Sequence, residues 1–188
     1  VLFDPYRAGH ELLYYPGETN MIMADVAIIN KVNTAQPEKI EEVRQNIERH
    51  AQKAQIILAN SEISVVNPKR IQGQRVLVVE DGPTLTHGGM TYGAGMIAAR
   101  MYGAAEIVDP RPFAVGTIAK AYEKYPHIGP VLPAMGYSPA QVEDLEKTIQ
   151  NVDCDLVLFA TPIKLNRLLS IDHPTMRVFY TYRDHGKP

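Results

Sequence analysis

Seven short apolar runs constrain the fold of this chain more than any other feature. They are VLF at 1–3, DVAIINKV from Asp25, QIIL from Gln55, RVLVVED from Arg75, EIVD from Glu106, DLVLFAT from Asp155 and RVFYTY from Arg177. Most are continuous rather than alternating, the pattern of strands buried on both faces of a parallel sheet. Helical signals fall between them. Ile40, Val43, Ile47 and Ala51 follow Pro37 on one helical face. Ser138-Pro139-Ala140-Gln141 is a capping box with proline at the first helical position, continued by Val142, Leu145 and Ile149. Further helices are expected over Met90 to Tyr102, Ala114 to Lys124 and, after Thr161-Pro162, Ile163 to Leu169. Strand and helix in alternation imply an α/β fold with a parallel, doubly wound sheet.

The polar stretch from Asn60 to Gln74 is a candidate boundary, giving segments 1–60 and 61–188. The chain opens on an apolar run ending in Asp4-Pro5, which reads as a strand cut from something upstream. The tail from Arg183 to Pro188 is expected to fray.

Composition bounds the partners. A net charge of -2 argues against a general nucleic-acid or anionic-membrane binder, so any phosphate site must be local. No apolar stretch approaches the roughly 18 residues of a membrane span, and a cytoplasmic location is expected. Cys154, at the entrance of an apolar run, reads as a core residue. His50, His173 and His185 lack metal-ligand spacing, and no protein-held metal site is expected.

The polar residues that could carry chemistry share one address. Asp4-Pro5, Asn30-Lys31-Val32-Asn33, Glu80-Asp81-Gly82-Pro83, Asp109-Pro110-Arg111 and Thr161-Pro162-Ile163-Lys164 each follow the last apolar residue of a strand. In an open parallel sheet that edge forms the ligand crevice, because helices begin there and point backbone N–H groups outward. IINKVN resembles the base-reading NKxD of GTP-binding proteins, with Asn33 in place of the aspartate. An amide cannot accept from two guanine donors as a carboxylate does. The same four residues also read as an ordinary polar strand end.

From Glu80 to Gly95 a strand runs into a stretch with five glycines and three threonines. Glycines admit an anion close to the backbone, Thr84, Thr86 and Thr91 offer hydroxyls, and His87 could donate to phosphate or move a proton. The alternative is a tight turn in which Gly93 and Gly95 allow close helix packing. GxxxxGK[ST] is absent from the chain. Arg7, His10, Arg111, Lys120, Lys124, His127, Lys164 and Arg167 are the basic candidates. Arg111, between two prolines, is the stiffest. Glu18 could orient a metal-bound water or cap the helix after it.

Together these segments resemble the carboxyl-terminal part of the cyclic 2,3-diphosphoglycerate synthetase family, whose members are also described as predicted GTPases. The resemblance runs through DPYRAGHELLYYPGETNMIMADVAIINKVNTA, VLVVEDGPTLTHGGMTYGAG, EIVDPRPFAVGTI, EKYPHIGPVLPAMGYS and ATPIKL. It implies a Rossmann-like, P-loop-type doubly wound sheet with helices on both faces, the P-loop and metal-binding aspartate lying upstream. Residues 1–60 would then be the carboxyl-terminal portion of the nucleotide-binding domain, and 61–188 a second α/β segment with the Gly-rich loop. The implied activity is a ligase that uses ATP and Mg²⁺ to close the two phosphates of 2,3-bisphosphoglycerate into an anhydride, this chain alone being inactive. Asn30, Lys31 and Asn33 would hold the base, and Asn33 accords with ATP. Thr84, Thr86, His87, Gly88 and Gly89 would cradle substrate phosphate. Arg7, His10 and Arg111 would neutralise charge, and His87 and Arg111 would be catalytic. A homodimer is the commonest assembly for such enzymes. The alternatives are a P-loop GTPase or metallochaperone-like hydrolase, and a sensor of a phosphorylated metabolite.

Overall fold

Each apolar run becomes a strand because its residues pack on the sheet faces. The computed structural model describes residues 1–135, 138–163, 165 and 169–186, and its fold is mixed α/β with parallel strands. The chain divides into two compact units, Val1–Glu62 with Tyr180–Pro188, and Ile63–Phe179. Among the described residues no helix is long and apolar enough to cross a membrane.

In the first unit, β1 (Leu2–Phe3), β2 (Val26–Ile29) and β3 (Gln55–Val65) pair in parallel, with Phe3 opposite Ile29 and Ile29 opposite Leu58. The short helices α1 (His10–Leu13) and α2 (Gly17–Ile22) connect β1 to β2, and α3 (Pro37–His50) connects β2 to β3. Proline at the start of α3 needs no amide partner. The helix buries Val43 and Ile47 against Phe3, Met21, Ala27 and Ile29, the face read from the sequence. β3 runs on to Val65, so Asn60 to Val65 is strand rather than loop, and the division between units falls within it.

In the second unit β4 (Arg75–Asp81) is central. β7 (Leu156–Ala160) lies along one side, from Val76 opposite Leu156 to Glu80 opposite Ala160, and β8 (Thr175–Asp184) pairs with β7. The other side of β4 is shared. β5 (Glu106–Ile107) lies opposite Arg75 and Val76, and β6 (Leu132–Ala134) opposite Val79 to Asp81. Val76, Val78, Leu156 and Leu158 point to one face, where α5 (Ala94–Met101) contributes Met96, Ala98 and Ala99. Leu77, Val79, Val157 and Phe159 point to the other, under Ile118 of α6 (Gly116–Lys124) and Leu145 and Ile149 of α7 (Pro139–Asn151). Both faces are thus buried, which is why the runs are continuous. Cys154 is a buried free thiol in this second core, with burial pushing its pKa up.

Three local expectations change. Gly82–Thr86 forms a helical turn, α4, inside the stretch read as a loop. α5 starts at Ala94 rather than Met90, and α6 at Gly116 rather than Ala114. β6 was not anticipated, because Pro133 at its centre cannot donate to a ladder; an edge position tolerates it. The capping box that opens α7 is present in full. The helix expected over Ile163 to Leu169, with Lys164 and Arg167, lies largely outside the described residues.

Candidate functional site

At the carboxyl ends of β1 and β2 the first unit gathers charge. Asp4 caps the following turn, accepting from the Tyr6 amide at 3.2 Å, and its other oxygen accepts from Lys31 Nζ at 2.7 Å with Arg7 at 3.5 Å. Two cations on one carboxylate leave a positive surplus. Lys31 is held at φ 61°, in the left-handed region, by a loop whose Thr34 and Ala35 amides donate to its carbonyl. A non-glycine residue kept there is strained by roughly 1–2 kcal/mol, and such strain concentrates at functional sites. The Lys31 ammonium also stands over the Tyr6 ring, 5.7 Å from its centroid. His10 opens α1, edge-on to Tyr14.

Asn33 is hydrogen-bonded across to β3. Its Oδ1 accepts from the Ser61 amide at 3.0 Å and its Nδ2 donates to the Ser61 carbonyl at 3.3 Å. Both ends of the amide therefore tie the β2–α3 loop to β3. Replacing Asn33 by alanine is expected to lower stability by about 1 kcal/mol, the worth of such a pair at an exposed site. An unchanged thermal midpoint would remove that structural role. Asn30, adjacent to β1 through its amide's bond to the Phe3 carbonyl, has a buried Oδ1 with no partner.

In the second unit the carboxyl end of β4 leads into α4. Asp81 caps this turn, its Oδ2 accepting from the Thr84 amide at 3.3 Å and the Thr84 hydroxyl at 2.9 Å. The Thr86 hydroxyl gives its one proton to the Gly82 carbonyl at 2.9 Å. The His87 ring nitrogen Nδ1, 2.9 Å from that same hydroxyl, is then the donor. In the neutral ring Nε2 is then the acceptor, on an exposed side chain. The amides of His87 and Gly88 both donate to the Pro83 carbonyl at 3.0 Å, while Gly89 takes φ 65°. Thr84, Thr86 and Gly88, read as phosphate donors, thus make the cap and exit of α4. His127 donates from Nε2 to the Leu85 carbonyl at 2.9 Å, bracing the same turn.

Glu80, one residue earlier, was not singled out as a site residue. It is 1% exposed, and its Oε1 accepts from the amides of Gly93 at 3.0 Å and Met96 at 2.9 Å, at the start of α5. Burial pushes its carboxyl up to about 7; the amides pull the other way without offsetting it. A Cβ on Gly93 would stand 2.6 Å from the Glu80 carboxylate, so glycine there serves close packing. The parity of β4 gave the signal: Glu80 follows Val76 and Val78 on the face that α5 covers.

Arg111 lies at the carboxyl end of β5, its Nε donating to Asp109 Oδ1 at 2.9 Å and Oδ2 at 3.0 Å. The guanidinium holds the Asp109 carboxyl below its ordinary value. A cleft of about 340 Å³ opens at the opposite, amino end of β4, lined by Pro68, Lys69, Gln72, Met101, Tyr102 and Gly103. Among the described residues no three His, Cys, Asp or Glu side chains are arranged to hold a metal ion.

The candidate residues thus group by unit: Arg7, His10, Asn30, Lys31 and Asn33 in the first, and Thr84, Thr86, His87, Gly88, Gly89 and Arg111 in the second. Among curated proteins, the chain is similar to one from Thermococcus kodakarensis named arginine synthetase ArcE. Identity is 54% over 188 residues, all of this chain. The chain spans 42% of that relative's length. No protein-family model matches it.

Proposed function

We propose that this chain is part of a nucleotide-dependent ligase that forms arginine. The observation that carries this reading is the 54% identity, sustained over all 188 residues, to a protein named arginine synthetase. The chemistry such a product requires is simple to state. A ureido oxygen attacks the γ-phosphorus of ATP and ADP leaves; ammonia adds to the activated carbon; inorganic phosphate departs with that oxygen, leaving a guanidinium. Every participant before the last step is anionic or polar, so a site with surplus positive charge and a proton acceptor is needed. Lys31 and Arg7 offer such charge within the first unit, and within the second the neutral His87 ring offers Nε2 as an acceptor.

A second reading keeps the same activation and changes the nucleophile. In it one phosphate of 2,3-bisphosphoglycerate is activated by the γ-phosphoryl group, and the other displaces inorganic phosphate to close the cyclic anhydride. The long strings from DPYRAGHELLYYPGETN to ATPIKL favour it. In either case residues 1–60 are read as the carboxyl-terminal portion of a P-loop-type nucleotide-binding domain and 61–188 as a second α/β segment, in a cytoplasmic homodimer. Asn33 makes no guanine-reading carboxylate, which supports ATP over GTP. Among the described residues no group of three His, Cys, Asp or Glu side chains is arranged to hold Mg²⁺.

The test uses the full-length protein with Mg²⁺ and either ATP or GTP, offered a ureido amino acid with ammonium, or 2,3-bisphosphoglycerate. Products are followed by phosphorus NMR and amino-acid analysis. Arginine formed with ATP supports the first reading; a new anhydride resonance supports the second. Phosphate release from GTP with neither product would leave a nucleotide hydrolase, and no turnover of any kind would leave a metabolite sensor. Under the ligase readings, His87→Asn lowers kcat at least about a hundredfold, the usual scale for a general base, while nucleotide binding is retained.

A further inference from the structure

The two units bury their sheets differently. In the second, cores lie on both faces of β4 and β7. In the first, α1, α2 and α3 all build the same core: Leu12, Met21, Val43 and Ile47 pack with Phe3, Ala27 and Ile29 of the sheet. Side chains alternate along a strand, so the residues between these point to the other face. The register sets Leu2 beside Ile28 and Ile28 beside Ile57 there, with Val26 two residues before Ile28 on the same side. On β8, Arg183 meets Glu62 at 2.9 Å, and His185 just beyond meets Asn60 at 2.9 Å. Glu62 and Asn60 share a face with Leu58, on the core side, so Tyr180 and Tyr182 fall on the opposite one. Leu2 is 61% exposed, Tyr180 52%, Tyr182 50% and Val26 37%. Six apolar or aromatic side chains thus share a sheet face that no described helix of this unit covers. We infer that this face seats an amphipathic helix from the rest of the polypeptide, reaching it from the free side of β1.

Topology and chemistry select that occupant. Crossovers between parallel strands have one hand, so connections stepping from β1 to β2 to β3 put their helices on one face. A helix on the opposite face belongs to a connection stepping the other way, as where strand order reverses in a doubly wound sheet. β1 ends the strand order, and its outer side is open. The Ile28 and Asn30 amides donate to the carbonyls of Val1 and Phe3, which turns the amide and carbonyl of Leu2 away from β2. There is chain enough to supply a strand there and its helix. The relative matched over all 188 residues is more than twice as long, this chain being 42% of it, and a βαβ unit takes about 30 residues. The six side chains carry no formal charge, so they offer a nucleic acid or an anionic surface nothing to hold, whereas leucine, β-branched and aromatic groups suit the apolar stripe of a helix. The inference rests on the register and on that length, not on the ligase reading.

The experiment is thiol labelling of the full-length protein carrying Leu2→Cys or Tyr182→Cys. Glu48→Cys, at an exposed position of α3, is the control, the parent protein is the blank, and each variant is melted thermally. Leu2→Cys and Tyr182→Cys are expected to react at least about tenfold more slowly than Glu48→Cys, because reaction under a docked helix waits on local opening. Dilution leaves those rates unchanged. Labelling as fast as the control means that the face is bare, and protection lost on dilution means that a second copy lies on it; either result overturns the inference. Should a substitution lower the melting temperature, amide exchange of the unsubstituted full-length protein gives the second measurement. A further strand along β1 protects the Leu2 amide at every protein concentration, and exchange there as fast as at an unpaired amide counts against the proposal. Arginine formation is scored separately, so the ligase reading stands or falls on its own.

Discussion

Gly95→Ala lowers the stability of the protein by about 3 kcal/mol, the upper part of the range for overpacking a filled core. Gly95 is the second residue of α5 and is buried against the central strands. A Cβ there would stand 2.6 Å from Cγ1 of Val78, 2.9 Å from the Cβ of Ala160 and 3.2 Å from Oε1 of Glu80. None of the three has an easy retreat. Ala160 has only its Cβ, fixed by the backbone of β7; Val78 is branched at that carbon, which leaves its rotamer little freedom; and Glu80 is anchored by two amides. The helix would have to rise off the sheet, opening Met96, Ala98 and Ala99. Gly89→Ala is the control, since a Cβ there meets nothing within 4 Å and only the φ of +65° resists it, at roughly 1–2 kcal/mol. Urea unfolding measures both. A Gly95→Ala midpoint displaced no further than that of Gly89→Ala would show that α5 is free to move, and would sink the packing argument.

That contrast also shows why glycine counting was a blunt guide to the site. Glycines in the stretch from Glu80 to Gly95 were read chiefly as room for an anion, yet Gly93 and Gly95 are where α5 meets Glu80 and β4. The local sequence did hold the answer for α4: Asp81-Gly82-Pro83-Thr84 is an N-cap followed by proline in the first turn, the signal recognised at Ser138. The strands were legible for a different reason. Leu77, Val79, Val157 and Phe159 face one core and Val76, Val78, Leu156 and Leu158 the other, so burial on both faces writes itself as an unbroken apolar run. β6 writes no such run, and its pairing with β4 depends on residues more than fifty positions away.

The candidate sites divide in the same way. Strand ends were readable as addresses, and Asp4, Lys31 and Arg7 do converge at one. What each polar group does there depends on partners distant in the chain. Asn33 meets Ser61 with both ends of its amide, and Arg111 donates through Nε to both oxygens of Asp109. A side chain's chemistry is visible in one letter; its availability is a property of the fold.

Glu80→Gln should remove a pH dependence of stability worth about 3 kcal/mol, the linkage equivalent of the change in its carboxyl group. Burial raises that group from its ordinary 4.5 to about 7 in the folded protein. Between those values the folded state binds more protons than the unfolded chain. The contribution is therefore whole below about 4.5, declines as pH rises, and is gone once pH has passed through 7. Asp109 and Asp144 act in the opposite sense, because Arg111 and Thr117 respectively depress them, so their contribution is present above the ordinary carboxylate range and lost only in acid. The two windows do not overlap between pH 5 and 8, and thermal midpoints taken there isolate Glu80. Glutamine keeps an acceptor for the amides of Gly93 and Met96 but cannot ionise, so its midpoints should be level across that range while those of the parent fall. A variant whose midpoints fall as steeply as the parent's would assign the effect elsewhere. The consequence for chemistry follows from position. Asp81 begins α4 directly after Glu80, and the amides Glu80 holds begin α5, so the segment carrying His87 is fastened at both ends beside one carboxyl group. Ionisation of that group sets the cost of a buried charge against stronger hydrogen bonds from the amides that begin α5.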